Sequence, residues 1–339
     1  FAPLRGGAPV LCAALFLFFF SHLGGPYQPS GDTLTNRMET VFMAKATAKF
    51  DVYQHVTDSI VAHLEAGTPP WRKPWTGSEA GTAFPKRSTG EYYQGINVIL
   101  LWLTAMEREF KSAHWFTYKQ AAEQGGQVRK GEKSTQVIYF NTVERENADG
   151  ETKAIPFAKV YRVFNADQID GLPDSFYRKA EPQKDLGTQA DPTLDRLFGA
   201  MGIKTITHDK PQAFYRLNDD AVYMPPIGTF FEAGLYYTTL AHEYVHATGA
   251  KHRVGRFEDQ KRDRKSYAFE ELVAEIGACM LLCRLGIAPD FADSTSYIDN
   301  WLKALQDDKR LIFKAASASS KAMDWLCGQL EASGMEIAA

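Results

Sequence analysis

His242, Glu243 and His246, in the run His242-Glu243-Tyr244-Val245-His246, are the residues whose types and spacing most directly imply chemistry. On a helix, positions four apart are neighbours on one face, so both imidazoles reach a single ion. Glu243 lies about 100° round the helix from His242, where it touches a water on that ion without ligating it. Catalytic zinc takes three protein ligands and keeps one position open, so a third donor must come from elsewhere in the chain. The chemistry implied is metal-assisted hydrolysis. Zn2+ lowers the pKa of a water towards ~7 and polarises a carbonyl, and Glu243 is the general base. Two surface histidines on an amphipathic helix would show the same spacing. The setting speaks against that: the run lies late in a long apolar helix stopped by Gly249, behind a hairpin.

The next helix carries Glu270-Glu271-Leu272-Val273-Ala274-Glu275. Over 272–283 the only ionisable side chains are Glu275 and the thiols of Cys279 and Cys283, so this stretch is buried nearly all round. A carboxylate there is costly unless paired, hydrogen-bonded or bound to metal. The two thiols read as small hydrophobes. Glu271 and Glu275 are four apart and share a face. Their E-x-x-x-E pattern resembles the gluzincin arrangement. That resemblance implies Glu271 as the third zinc ligand and Glu275 as the acid hydrogen-bonding a ligating histidine, with Glu270 as the alternative ligand. Glu275 stands where thermolysin-like enzymes have Asp. Tyr267, one turn before Glu271, is a candidate for oxyanion support, and 221–224 is a natural edge for an extended peptide.

Aromatic residues alternate with cations in the first half, in Trp71-Arg72-Lys73-Pro74-Trp75, Trp115-Phe116-Thr117-Tyr118-Lys119 and Arg129-Lys130-Gly131-Glu132-Lys133. Flat side chains that stack on bases, flanked by cations that meet phosphates, are what single-strand binding needs. Composition alone reads the tryptophans as core and the charges as a solvated face. Those motifs, with Tyr93-Gln94-Gly95-Ile96-Asn97, Val163-Phe164-Asn165-Ala166-Asp167-Gln168 and Thr239-Leu240-Ala241-His242-Glu243, resemble the ArdC antirestriction family of conjugative plasmids. The first half is also similar to part of TraC-type plasmid primases. The resemblance runs from about residue 49 to 285. It implies a single-stranded-DNA-binding domain joined to a zincin-like metallopeptidase domain, protecting incoming plasmid DNA from host restriction. It assigns Trp71, Arg72, Lys73, Trp75, Trp115, Tyr118, Arg129, Lys130 and Lys133 to DNA. A protein substrate or the host restriction system is the second expected partner, and no stable membrane partner is expected. The rival reading is a DNA-coating protection protein whose zinc site is only structural, although a closed site has no use for Glu243.

The elements that must position these groups follow from period and punctuation. Helical spacing predicts helices at 51–66, 97–110, 118–124, 193–201, 230–248 and 266–285, with two more reaching about residue 330. Alternating apolar runs predict hairpins at 136–143 with 155–164 and at 213–217 with 221–224. The polar stretch 174–192 reads as a linker between a DNA-binding domain at 44–173 and a metallopeptidase domain at 193–339, an α+β architecture. The 339 residues suit two domains. At 45% hydrophobic, 23% charged and a net charge of −3, the composition excludes a disordered chain and an indiscriminate polycation. The charge is uneven, with 16 Lys/Arg against 15 Asp/Glu over 44–173, and 20 against 24 over 174–339. The four cysteines form no CxxC pair, which fits a reducing, cytoplasmic setting. Residues 1–42 carry a dozen-residue apolar run of signal-peptide length. They read either as an upstream stretch before a start at Met43 or as a signal peptide, and lie outside the expected fold.

Overall fold

The computed structural model describes residues 51–71, 84–146, 152–177, 187, 189–257, 263–289 and 295–335. The expectations for 1–42 and for Arg72, Lys73 and Trp75 lie outside these residues. The first helix, α1 (Val52–Glu65), starts where the Asp51 carboxylate accepts from the amides of Tyr53 and Gln54. After the short strand β1 (Lys86–Arg87), α2 (Ile96–Glu107) is apolar almost all round and buried accordingly. Then come β2 (His114–Phe116) and α3 (Tyr118–Glu123), which opens on a capping box between Thr117 and Gln120. β3 (Gln127–Val128) precedes a long hairpin, β4 (Thr135–Glu146) and β5 (Thr152–Asn165), and β6 (Ile169–Asp170) returns to pair with β3. The main sheet has the order β1-β2-β5-β4, so β4 forms one edge.

The second half begins with α4 (Pro192–Ala200), capped by Asp191, and continues through β7 (Lys204–Thr207), β8 (Phe214–Arg216) and β9 (Ala221–Met224). β8 and β9 form the expected hairpin, with Phe214 opposite Tyr223 and Arg216 opposite Ala221. The sheet order is β7-β9-β8, however, because β7 pairs in parallel with the other side of β9. Strand 221–224 is therefore central and offers no free edge. Four helices complete the chain: α5 (Ala233–Thr248), α6 (Arg264–Arg284), α7 (Thr295–Asp307) and α8 (Leu311–Ala332). α5 starts three residues later than its periodicity suggests, since Pro225-Pro226 and a 3-10 turn at Ile227–Thr229 precede it.

One continuous apolar core joins the two halves. α8 is the hinge of that packing. The Ser319 hydroxyl donates to the Val273 carbonyl on α6 (2.9 Å), and Ser320 Oγ accepts from the Gly95 amide at the start of α2 (2.8 Å). Trp71 meets Trp301 of α7 edge-on at 5.8 Å. α6 is buried from Glu270 to Leu282 between α5 and α8. Gly277 permits that approach, because a Cβ there would lie 2.9 Å from Val245 Cγ1 on α5. Interiors this dense do not yield such space freely. The close contact brings the glutamates of α6 opposite the histidines of α5.

Candidate metal centre

His242, Glu243 and His246 lie in the last two turns of α5, and Glu270, Glu271 and Glu275 in the first half of α6. His242 Nε2 and His246 Nε2 stand 3.1 Å apart, and each lies 3.6 Å from one oxygen of Glu271. Ligand atoms of these three residues all fall within 4.8 Å of one another, the one such group among the described residues. Their side chains are only 13%, 13% and 8% exposed. Two imidazole nitrogens and a carboxylate oxygen make a donor set that suits a divalent ion with a position left open. Glu243, one residue after His242, is 1% exposed.

Electrostatics favour charged ligands here. Burial pushes the Glu271 carboxyl up, but the His242 hydrogen bond, both imidazoles and a Tyr267 hydrogen bond outweigh it and hold it below the usual range. Burial lowers His242, yet the surrounding Glu271, Glu243 and Glu275 carboxylates raise it to about 9 in the metal-free protein. Three acids converging on two imidazoles form a strongly cation-seeking site.

The nitrogens turned away from the centre are held as well. His242 Nδ1 lies 4.0 Å from Glu275 Oε2, an ion-pair separation longer than a direct hydrogen bond. His246 Nδ1 is 3.0 Å from Glu270 Oε1. Glu270 is in turn gripped by Arg256, whose Nε donates to Oε2 at 2.9 Å and Nη2 to Oε1 at 2.6 Å. Arg256 also donates to Thr248 Oγ1 (2.6 Å) and to the Val245 carbonyl, stapling the end of α5 to α6. In this geometry Glu270 orients His246 and does not sit with the three ligand atoms. Neither Arg256 nor this role of Glu270 was legible in the sequence. The only signal was the doubled Glu270-Glu271. Gly249 has a role beyond stopping α5: its backbone is right-handed, and a Cβ would lie 2.4 Å from the Phe257 ring, next to Arg256. The Tyr267 hydroxyl bonds Glu271, which places it against a ligand.

The residues assigned to DNA divide. Trp71 is 0% exposed and Trp115 is 2% exposed, both in the main core, which corrects their reading as stacking platforms. Trp115 lies on β2 between the apolar elements, packed edge-on against Phe110 at 5.8 Å, and cannot meet a base without unpacking the core. Tyr118, Arg129, Lys130 and Lys133 are at the surface. The first three line a cleft of about 580 Å³ with Gln127, Phe164 and Asp170. There Gln127 Nε2 donates to the Tyr118 hydroxyl at 3.0 Å, and Arg129 is braced by Glu132 (2.9 Å) and Asp170 (3.3 Å).

Comparison with known proteins assigns a family to each half of the chain. Residues 50–164 match the N-terminal domain of anti-restriction factor ArdC, and residues 192–318 match a zincin-like metallopeptidase family. The metal-free crystal structure of the antirestriction ArdC protein from plasmid R388 aligns with 85% of this chain and all of its own, at 56% identity and a TM-score of 0.74. The chain belongs to the ArdC antirestriction family. A Mn(II)-bound structure of the R388 protein aligns at 56% identity and a TM-score of 0.71, covering 83% of this chain and 98% of that one. An uncharacterized protein, y4eC, from Sinorhizobium fredii is 34% identical over 291 residues, which is 82% of this chain and 92% of the relative. DNA primase TraC of Escherichia coli is 36% identical over 293 residues, but these make up only 20% of the primase. No helix among the described residues is long and apolar enough to cross a membrane.

Proposed function

We propose that this ArdC-family chain binds single-stranded DNA through its N-terminal half and hydrolyses peptide bonds at a zinc site in its C-terminal half, acting in the cytoplasm that receives mobile DNA. The observation that carries the peptidase reading is the convergence of His242, His246 and Glu271 beside the buried Glu243. Zinc held by those three residues supplies the Lewis acidity that activates water and a carbonyl. Glu243 accepts the water's proton on a carboxylate oxygen and returns it to the leaving amine. Glu270, locked by Arg256, keeps the His246 ring aimed at the centre, and Glu275 serves His242. For DNA, the match of residues 50–164 to the N-terminal ArdC domain, the resemblance of most of the chain to the primases and the surface positions of Tyr118, Arg129, Lys130 and Lys133 support the reading, to which Arg72, Lys73 and Trp75 add by motif alone. Host restriction components are the expected protein targets.

Metal analysis of the purified chain is expected to give about one zinc, lost in His242→Ala and retained in Glu243→Ala. Unfolded β-casein should be cleaved by the parental chain and not by Glu243→Ala. Full zinc occupancy in His242→Ala would refute the ligand set, and equal cleavage by Glu243→Ala the role of the base. Zinc binding without any cleavage would make the site structural.

A further inference from the structure

Burial of Trp71 and Trp115 removes two of the four rings that the motifs of the N-terminal half offered to bases, which raises the question of what other rings stand exposed. Among the described residues nine large hydrophobic side chains are exposed, and five of them (Tyr139, Phe140, Phe157, Val160 and Tyr161) belong to the single hairpin β4–β5. The ladder register decides which of these act together. Tyr139 stands opposite Lys159, Val137 opposite Tyr161 and Asn141 opposite Phe157, so Tyr139, Phe157, Lys159 and Tyr161 project from one face. Phe140 takes the other face, where it packs against Phe313 and Tyr53.

The first face has the features of a platform. The Tyr139 and Tyr161 rings meet edge-to-face at 6.2 Å and 83°, and both keep a large part of their surface exposed. Asn141 Nδ2 donates to the Tyr139 hydroxyl at 2.9 Å, and the Lys159 ammonium sits 5.1 Å over the Tyr161 ring. These contacts order the rings before any ligand arrives. Of the described side chains on this face, none is a carboxylate. An aromatic face whose one described charge is the Lys159 ammonium complements a chain of flat bases on a polyanionic backbone.

We infer that the Tyr139–Tyr161 face of the β4–β5 hairpin is a base-stacking platform for single-stranded DNA. It extends the DNA-binding surface beyond the cleft at Tyr118 to residues that no motif marks. The inference rests on the single-strand-binding reading above. Stacking on ring faces is tolerant of sequence, so the platform adds affinity with little preference among bases.

The test is fluorescence anisotropy of a labelled oligothymidylate with the full chain, across a salt series. Tyr139→Ala with Tyr161→Ala is expected to weaken binding by about 5- to 150-fold per ring, while the melting temperature falls by no more than a few degrees because both side chains are half exposed. Tyr139→Phe with Tyr161→Phe keeps the rings and should bind within about threefold of the parental chain. Lys159→Ala should reduce the slope of log affinity against log salt by about 0.7. If the parental chain and the alanine pair bind equally, the platform is refuted while the single-strand reading stands. If the parental chain binds no oligonucleotide, both fall. An alanine pair that changes only the oligomeric state, at constant DNA affinity, would make this face and the adjoining β4 edge an interface between copies, and would overturn the platform.

Discussion

Arg256→Met removes the guanidinium that neutralises Glu270, and its consequences can be worked from the contacts. The two side chains are 9% and 10% exposed, and Arg256 reaches both carboxylate oxygens at 2.6–3.1 Å. Burial alone pushes the Glu270 carboxyl up, and Arg256, with His246, brings it below its ordinary value. Removing one partner of such a pair strands a buried charge, at about 3–5 kcal/mol. At roughly 1.5–2 °C per kcal/mol for a chain of this size, the metal-free protein should melt about 5–10 °C lower. His246 also loses its fixed acceptor, and orienting partners of this kind are worth about 10–100-fold in metal affinity. Calorimetry in chelator and zinc competition against a chromophoric chelator read the two effects separately. Arg256→Met with Glu270→Leu removes both charges. It should recover most of the melting temperature while metal affinity stays low, because nothing then orients His246. Wild-type metal affinity in the double variant would refute the positioning argument. Wild-type stability in the single variant would refute the buried pair.

Proton competition at the centre should be visible. His242 in the metal-free protein is raised to about 9 from its ordinary 6.5. A raised imidazole adds stability that is complete below pH 6.5 and is lost as pH climbs through about 9, so chelator-treated protein should melt lower at pH 9 than at pH 6.5. By the same linkage zinc binding near pH 7 displaces a proton and tightens as pH rises, which calorimetry in buffers of different ionisation enthalpy detects; no proton release would refute the shift. Trp115→Ala should cost about 3–5 kcal/mol of stability as a core truncation. Trp115→Phe should retain DNA affinity in anisotropy, and selective loss of binding in a folded Trp115→Phe protein would return this ring to the DNA surface.

The metal-site motif was readable because it is local. Four-residue spacing on one helix brings His242 and His246 together whatever the rest of the chain does. The apolar run after Glu271 likewise announced a buried helix whose carboxylates needed partners. The types of the helices and of the two hairpins were readable for the same reason: periods of 3.6 and 2 and the stop at Gly249 act over a few residues. The DNA side was harder. A tryptophan beside lysines has the same sequence signature whether it stacks on a base or fills a core, and only the neighbours decide.

By itself, then, the sequence determined the main helices, the two hairpins, the two-histidine face with Glu243 beside it and the family to which the chain belongs, while the short strands β1, β2, β3, β6 and β7 carried no signal of their own. Tertiary structure decided what depends on partners distant in sequence. It set Glu270 on His246 and Arg256 on Glu270, brought Glu271 up to both histidines through the close approach of α5 and α6 at Gly277, and put β7 where an open edge was expected. It also buried Trp71 and Trp115 and left Tyr139 and Tyr161 exposed. The physical reason is common to all of these. Burial and hydrogen-bond partnership are properties of packed surfaces brought together by folding, and residue type and spacing constrain them only where both partners lie on one element.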